Sequence, residues 1–249
     1  MVKISVITAA YNCQKTIGEA IESVLAQSYS RVESVVIDGA STDGTIDVLK
    51  SFRPRLGKFI SEKDHGIYDA LNKGIKEATG DVIGFLHSDD LFQDAYVLEK
   101  IAREFEDPAV DAVYGDLVYV KHEDITEVVR YWRSGSLSKN ALSFGWMPPH
   151  PTFYVRRSVY ERLGGFDTRY RIAADYDTIL RFLGTNKVKA AYIPEILVRM
   201  RVGGISNRSL RSILMKTKED FLIMKRNRIG GILAILWKNF SKLKQFLKK

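Results

Sequence analysis

The chain has 249 residues, 45% hydrophobic and 27% charged, enough for one sizeable core with or without an appendage and unlike a disordered or low-complexity chain. Its single cysteine, Cys13, excludes an intramolecular disulfide framework and fits a reducing compartment, and no stretch reaches the roughly eighteen apolar residues of a membrane span. The net charge of +8 is uneven: Phe221 to Lys249 carries eight Lys/Arg and no acid, leaving 30 charges of each sign in residues 1–220, a balance unlike that of a nucleic-acid-coating protein.

In chain order, "KISVIT" reads as a strand, because its apolar run is too short and too polar in its flanks for a leader peptide. "TIGEAIESVLAQ" follows as a helix, with Thr16 and Glu19 spaced as a capping box and Ile17, Ala20, Ile21, Val24 and Leu25 on one face. "SVVIDG" is a second strand, "ASTDGTIDVLKSF" turns back into helix, and "KFISEK" is a third strand. "GIYDALNKGIKEATG" is a helix stopped by Gly80, and "DVIGFLH" is a fourth strand. Strands apolar on both faces and alternating with helices predict an α/β fold with a mostly parallel sheet covered by helices. Beyond residue 110, "DAVYGDLVYV" and "EVVRYWR" alternate like half-exposed strands, "GWMPPHPTFYVRRSVYERLGGFD" reads as loop, strand and helix, and "AADYDTILRFLG" as a further helix. No linker separates the two halves.

In sheets of this kind ligands bind outside the carboxyl ends of the strands. Polar residues collect there at Thr8–Asn12, Asp38–Asp43, Glu62–Gly66 and His87–Asp90, which predicts one shared rim. No G-x-G-x-x-G follows the first strand, and "GASTDGT" lacks the lysine of a phosphate-binding loop, so a dinucleotide dehydrogenase and a P-loop kinase are poor fits. An acidic rim binds phosphates through Mg²⁺ or Mn²⁺, using one or two carboxylates and substrate oxygens. That gives a reason for the adjacent carboxylates Asp89 and Asp90, which repel unless a cation or water separates them.

Taken in order, "ISVITAAYN", "VIDGASTDGT", "DHGIYDALNKG", "ATGDVIGFLHSDD", "GGFD" and "AADYDTILR" resemble the family 2 glycosyltransferases of GT-A fold, in particular the bacterial O-antigen and capsule type. The resemblance runs from about Lys3 to Ser206. It implies an inverting transfer of a sugar from a nucleotide diphosphate sugar, a UDP-sugar foremost, to a lipid-linked glycan of the undecaprenyl-diphosphate type. Carried over by position, it places Tyr11 and Asp38 on the base, Asp64 near base and ribose, and Thr8, His87 and Ser88 along the donor. Asp89 falls on the last acid of the family's D-x-D and would ligate the metal, with Asp90 as its neighbour. Asp175 matches the expected general base, and Gly165, Phe166 and Asp167 would line the acceptor side. Arg199 and Arg201 lie where the family places a flexible segment over the diphosphate.

Two positions depart from the pattern: His87 replaces the first acid of D-x-D, and Arg201 stands where the family often has a histidine able to ligate metal. Asp175 also suits a helix N-cap, His150 between prolines suits a structural turn or an acceptor contact, and Tyr131, Trp132 and Arg133 suit core packing or sugar stacking. The chain divides into a nucleotide-binding half, 1–110, an acceptor half, 111–206, and a basic tail, 207–249. In that tail Ile229, Ile232, Leu233, Leu236, Phe240, Leu243 and Leu247 form one helical stripe among lysines, with Trp237 of interfacial type. Such a helix lies on an anionic membrane surface, which predicts a cytoplasmic protein peripheral to the inner face of the cell membrane. Homo-oligomerisation is compatible with this reading, and nucleic acid is not a partner. The alternative from the same features is a non-catalytic nucleotide- or polyanion-binding module recruited to membranes.

Overall fold

The computed structural model describes residues 1–138, 140–203, 210–231 and 234. The apolar run after Lys3 forms β1 (Ile4–Ala10), buried along its whole length. It pairs in parallel with β2 (Val32–Asp38) on one side and β4 (Val82–Phe85) on the other, and β2 pairs in parallel with β3 (Lys58–Ser61). Between these strands lie α1 (Ile17–Leu25), α2 (Thr45–Phe52) and α3 (Ile67–Glu77).

Strand alternation sends successive residues of β1 to opposite layers. Ile7 and Ala9 pack with α3 residues Ala70 and Leu71, whereas Val6 packs with Val24 of α1 and with Leu98 and Ile101 of α4 (Val97–Glu104). The same division runs through the chain, so helices cover both faces of the sheet, as the double-sided apolar strands predict.

The second half adds β5 (Leu91–Phe92), β6 (Ala112–Val120), β7 (Val128–Trp132), β8 (Tyr154–Arg156) and β9 (Ala190–Arg201). The sheet runs β3-β2-β1-β4-β8-β6-β9-β5, with β7 on β6. Because β8 pairs antiparallel with both β4 and β6, strands from both halves lie in one sheet. Two expectations change here. β6 is not half-exposed: all its residues but Tyr119 are buried, because helices and loops cover both its faces. Of these two strands, β7 presents the exposed residues, Val128 and Val129. The segment of Arg199 and Arg201 is not a flexible cover but the end of the twelve-residue strand β9, paired with β6 and β5.

The capping box at Thr16 and Glu19 does not form. Thr16 has helical backbone angles and makes no side-chain cap, and Glu19 pairs instead with Arg201. The second half also carries α5 (Arg157–Leu163), α6 (Ala174–Ile179) and α7 (Leu210–Asn227), with α6 packed on α7. Ile223 and Met224 of α7 are buried in the same core as Tyr176 and Ile179 of α6, so this part of the basic stretch packs as a core helix. Of the apolar stripe only Ile229 is described, and it packs against the body beside Gly184; the rest lies outside the described residues.

Gly84 shows how tightly β4 is covered. A Cβ there would fall 2.0 Å from Cε1 of Tyr154, itself fully buried. Gly84→Ala is expected to cost about 3 kcal/mol and to lower Tm by roughly 6–12 °C in thermal unfolding. An unchanged Tm would mean that Tyr154 has room to move.

Candidate active site

The carboxyl ends of β1, β2, β3 and β4 open into one cleft of about 1410 Å³. A site for one small ligand holds about 300–1,000 Å³, so this cleft has room for two substrates side by side. One end is lined by Tyr11, Gly39 and Asp64, the middle by His87, Ser88 and Asp89, and the far wall by His150, Phe166 and Asp175. Gly39 lets the first group converge, since a Cβ there would sit 3.0 Å from Asp64 Oδ2 and 3.2 Å from the Tyr11 ring. Tyr11 is 67% exposed, a free aromatic face at the mouth. Asp64 is held by Lys73 at 2.6 Å.

Several residues expected in the site lie outside it. Thr8 is fully buried within β1 and does not line the cleft. Asp38, also fully buried, accepts hydrogen bonds from the Ser41 amide (3.1 Å), the Ser41 hydroxyl (2.5 Å) and the Ser61 hydroxyl (2.6 Å). Its carboxylate builds the loop after β2 and does not line the cleft. Arg199 donates to the Ile125 carbonyl at 2.9 Å and does not line the cleft. In "GGFD" only Phe166 reaches the cleft. Gly165 lies against Asn72, and Asp167 is held by Arg169 and by Arg226 of α7, whose guanidinium groups keep its carboxyl well below the usual range.

The two adjacent carboxylates have separate fates. Asp89 lines the cleft, and no hydrogen bond to its side chain is found among the described residues. Asp90 is 1% exposed; its Oδ1 accepts the Arg201 amide at 3.2 Å and its Oδ2 has no partner. Burial, reinforced by the Asp89 charge, pushes the Asp90 pKa well up, and Asp90 does not line the cleft. Arg201 is equally committed. It pairs with Glu19 and donates to the carbonyls of Asp89 (2.7 Å) and His122 (3.1 Å), so it secures the turn that presents Asp89.

Among the described residues, no three His, Cys, Asp or Glu side chains converge to hold a metal unaided. Asp89 supplies one carboxylate on the cleft wall, with the imidazoles of His87 and His150 lining the same space. A Mg²⁺ or Mn²⁺ ion held by one carboxylate and the phosphate oxygens of a substrate needs no more, so these residues fit a cation that arrives with a diphosphate.

A chain of contacts links His87, His150 and Asp175 on the cleft lining. Nδ1 of His150 lies 3.3 Å from Asp175 Oδ2, and Nε2 of His150 lies 2.6 Å from Nε2 of His87. Desolvation lowers both imidazoles, His150 to about 4 against the pull of Asp175, so both are neutral near pH 7. One proton arrangement satisfies both short contacts: His150 Nδ1–H donates to Asp175, and His87 Nε2–H donates to His150.

Asp175 is the second residue of α6, and it caps nothing: its partners are His150 and the Tyr68 hydroxyl at 3.3 Å. Its side chain is 19% exposed, toward the cleft. Sequence reasoning missed Tyr68, whose helix showed only an apolar stripe, and Lys216 of α7, which also lines the cleft. Core packing and sugar stacking were both open for Trp132: it packs against the core, and it also stacks nearly parallel to Tyr119 with Arg130 over both rings on the cleft wall. The alternation of β7 offered that signal.

The sheet carries one large cleft outside the carboxyl ends of its parallel strands, where α/β folds bind their ligands. The chain belongs to Glycosyl transferase family 2, whose pattern matches residues 5–167. It is 29% identical over 208 residues to a PGL/p-HBAD biosynthesis glycosyltransferase of Mycobacterium bovis, spanning 82% of this chain and 78% of the relative. It is 33% identical over 185 residues to an uncharacterized glycosyltransferase of Mycobacterium tuberculosis, spanning 72% of this chain and 68% of that one. The mannosyltransferase PcManGT of Pyrobaculum calidifontis, solved with GDP-Man and Mn²⁺, superposes with a TM-score of 0.69 at 22% identity, over 99% of this chain and 70% of its own. S. aureus TarS 1–349 in complex with UDP superposes with a TM-score of 0.66 at 19% identity, over 98% of this chain and 70% of its own. The protein is therefore a glycosyltransferase.

Proposed function

We propose that the protein is an inverting glycosyltransferase that uses a nucleotide diphosphate sugar, specifically a UDP-sugar. Its acceptor is a hydroxyl of a lipid-linked glycan of the undecaprenyl-diphosphate type, in cell-surface polysaccharide synthesis of the O-antigen or capsule kind. The observation that carries this reading is Asp175: a carboxylate at a helix start, free of capping, held by His150 and Tyr68 and open to the cleft.

In the reaction the acceptor O–H gives its proton to Asp175 as its oxygen bonds to the anomeric carbon from the face opposite the phosphate. The bond from that carbon to the phosphate oxygen breaks, and its electron pair leaves with the nucleoside diphosphate. One displacement needs one base and no second carboxylate nucleophile. Asp89 would hold a Mg²⁺ or Mn²⁺ arriving with the donor, and that cation would supply positive charge to the leaving diphosphate. Tyr11 and Asp64 take the nucleoside, and Phe166 with the Trp132–Tyr119 platform supports the sugars.

Residues 1–110 hold the donor and 111–206 the acceptor, with α7 closing the acceptor side. No helix among the described residues is long and apolar enough to cross a membrane. The basic stretch to Lys249 supports peripheral attachment to an anionic, cytoplasm-facing surface, where a lipid-linked acceptor resides.

A panel of UDP-, GDP- and dTDP-sugars tests this, offered with a lipid-diphosphate-linked acceptor in anionic vesicles and with a short soluble analogue. One UDP-sugar is expected to turn over, with chelator sensitivity and an inverted anomeric product by NMR. A retained configuration overturns the single displacement, and equal rates on vesicle and soluble acceptors overturn the membrane assignment.

A further inference from the structure

The turn that delivers Asp175 into the cleft, Arg171-Ile172-Ala173, points three successive backbone N–H groups at one carboxylate. Glu219 of α7 takes them all: Oε1 accepts from Arg171 at 2.9 Å, and Oε2 accepts from Ile172 at 2.9 Å and Ala173 at 3.0 Å. Glu219 is 8% exposed, so its carboxyl oxygens meet these amides and little water. Successive amides converging on one point form an anion nest, and bonds from N–H to a carboxylate are about twice as strong as neutral ones. From the other side the Tyr68 hydroxyl shares its one proton between the Ile172 carbonyl at 2.8 Å and Asp175 Oδ1 at 3.3 Å. The turn is thus gripped from α7 and from α3.

Position on α7 explains why Glu219 reaches the nest. It lies four residues before Ile223, which is fully buried, so both project from the inward face of the helix. The amides that Asp175 might have competed for are elsewhere satisfied, and its carboxylate is left to the cleft.

We infer that Glu219 is a positioning residue for sugar transfer: its carboxylate fills the amide nest at 171–173 and so fixes the start of α6 and the direction of Asp175. The inference rests on the reading of Asp175 as the base. Glu219 touches no substrate; it acts through the turn.

Glu219→Ala empties the nest and leaves a hole shaped for a small carboxylate. Misplacing a catalytic group by about 1 Å can cost on the order of a hundredfold in rate. The expected result is a fall in kcat of about tenfold or more with donor KM unchanged, faster hydrogen exchange at the amides of 171–173, and recovery of kcat on adding formate or acetate. Glu219→Gln, which keeps one acceptor oxygen in the same volume, is expected to fall between wild type and the alanine variant, and it carries the test if Glu219→Ala does not fold. Wild-type kcat in Glu219→Ala, or in Glu219→Gln where alanine does not fold, overturns the inference. So does a slowed, folded Glu219→Ala variant that neither carboxylate restores. Failure of the base reading is seen separately, as transfer that survives in Asp175→Asn.

Discussion

Asp175→Asn is expected to lower the rate of sugar transfer by about a hundredfold or more while nucleotide-donor affinity stays near the wild-type value. Positioned general bases contribute roughly 10²–10⁴ in rate, and the amide of asparagine cannot take the acceptor proton. The substitution is otherwise mild. The asparagine oxygen can still accept from His150 Nδ1–H, and no cap is lost because Asp175 makes none. Loss of a capping side chain would cost about 1 kcal/mol, so an unchanged Tm separates base from cap. Donor affinity by calorimetry and transfer by product quantification decide the matter. Transfer that persists in a merely less stable protein would place the base elsewhere.

The second large effect is expected at Asp89, with its neighbour as the internal control. Asp89→Asn removes the one carboxylate of the pair that lines the cleft, and it is expected to abolish cation-dependent donor binding and to cut turnover at least about a hundredfold. Asp90→Asn is expected to leave binding, turnover and Tm close to wild type. The Asp90 carboxyl is buried outside the cleft lining, its pKa is pushed well up, and asparagine is its near-isostere. Calorimetric titration of donor with and without Mn²⁺, run on both variants, gives the comparison. Equal losses in the two would contradict the separation of roles, and cation-independent donor binding by the wild type would remove the metal from the reading.

Why one aspartate of a pair faces substrate and the other the core could not be read from "HSDD" alone. The residues close a turn, with the Asp90 amide donating to the His87 carbonyl at 3.1 Å, and a turn does not alternate sides as a strand does. Arg201, 111 residues later, made the choice by setting its amide on Asp90 and its guanidinium on the Asp89 carbonyl. Asp38 illustrates the same point. Its place at a strand end made it a plausible base contact, yet Ser41 and Ser61 use both of its oxygens. β9 escaped a reading by pattern because Pro194 interrupts its apolar run and its register jumps between Gly115↔Ile193 and Asp116↔Ile196.

The sequence by itself determined the alternation of strands and helices up to residue 85, the apolar faces that bury them, and the rim on which polar residues gather. Those features depend on periodicity and turn chemistry within a dozen neighbouring residues, where local sterics and side-chain spacing decide. Its ordered motifs also carried the family. The tertiary structure alone decided which polar residues of that rim reach the cleft, because burial and hydrogen-bond partners come from distant segments. It brought His150 to His87 and Asp175, committed Arg201 to Glu19, and set Glu219 under the turn that presents Asp175. A carboxylate's role depends on whether amides, guanidinium groups or open space surround it, and only the packed chain supplies those surroundings.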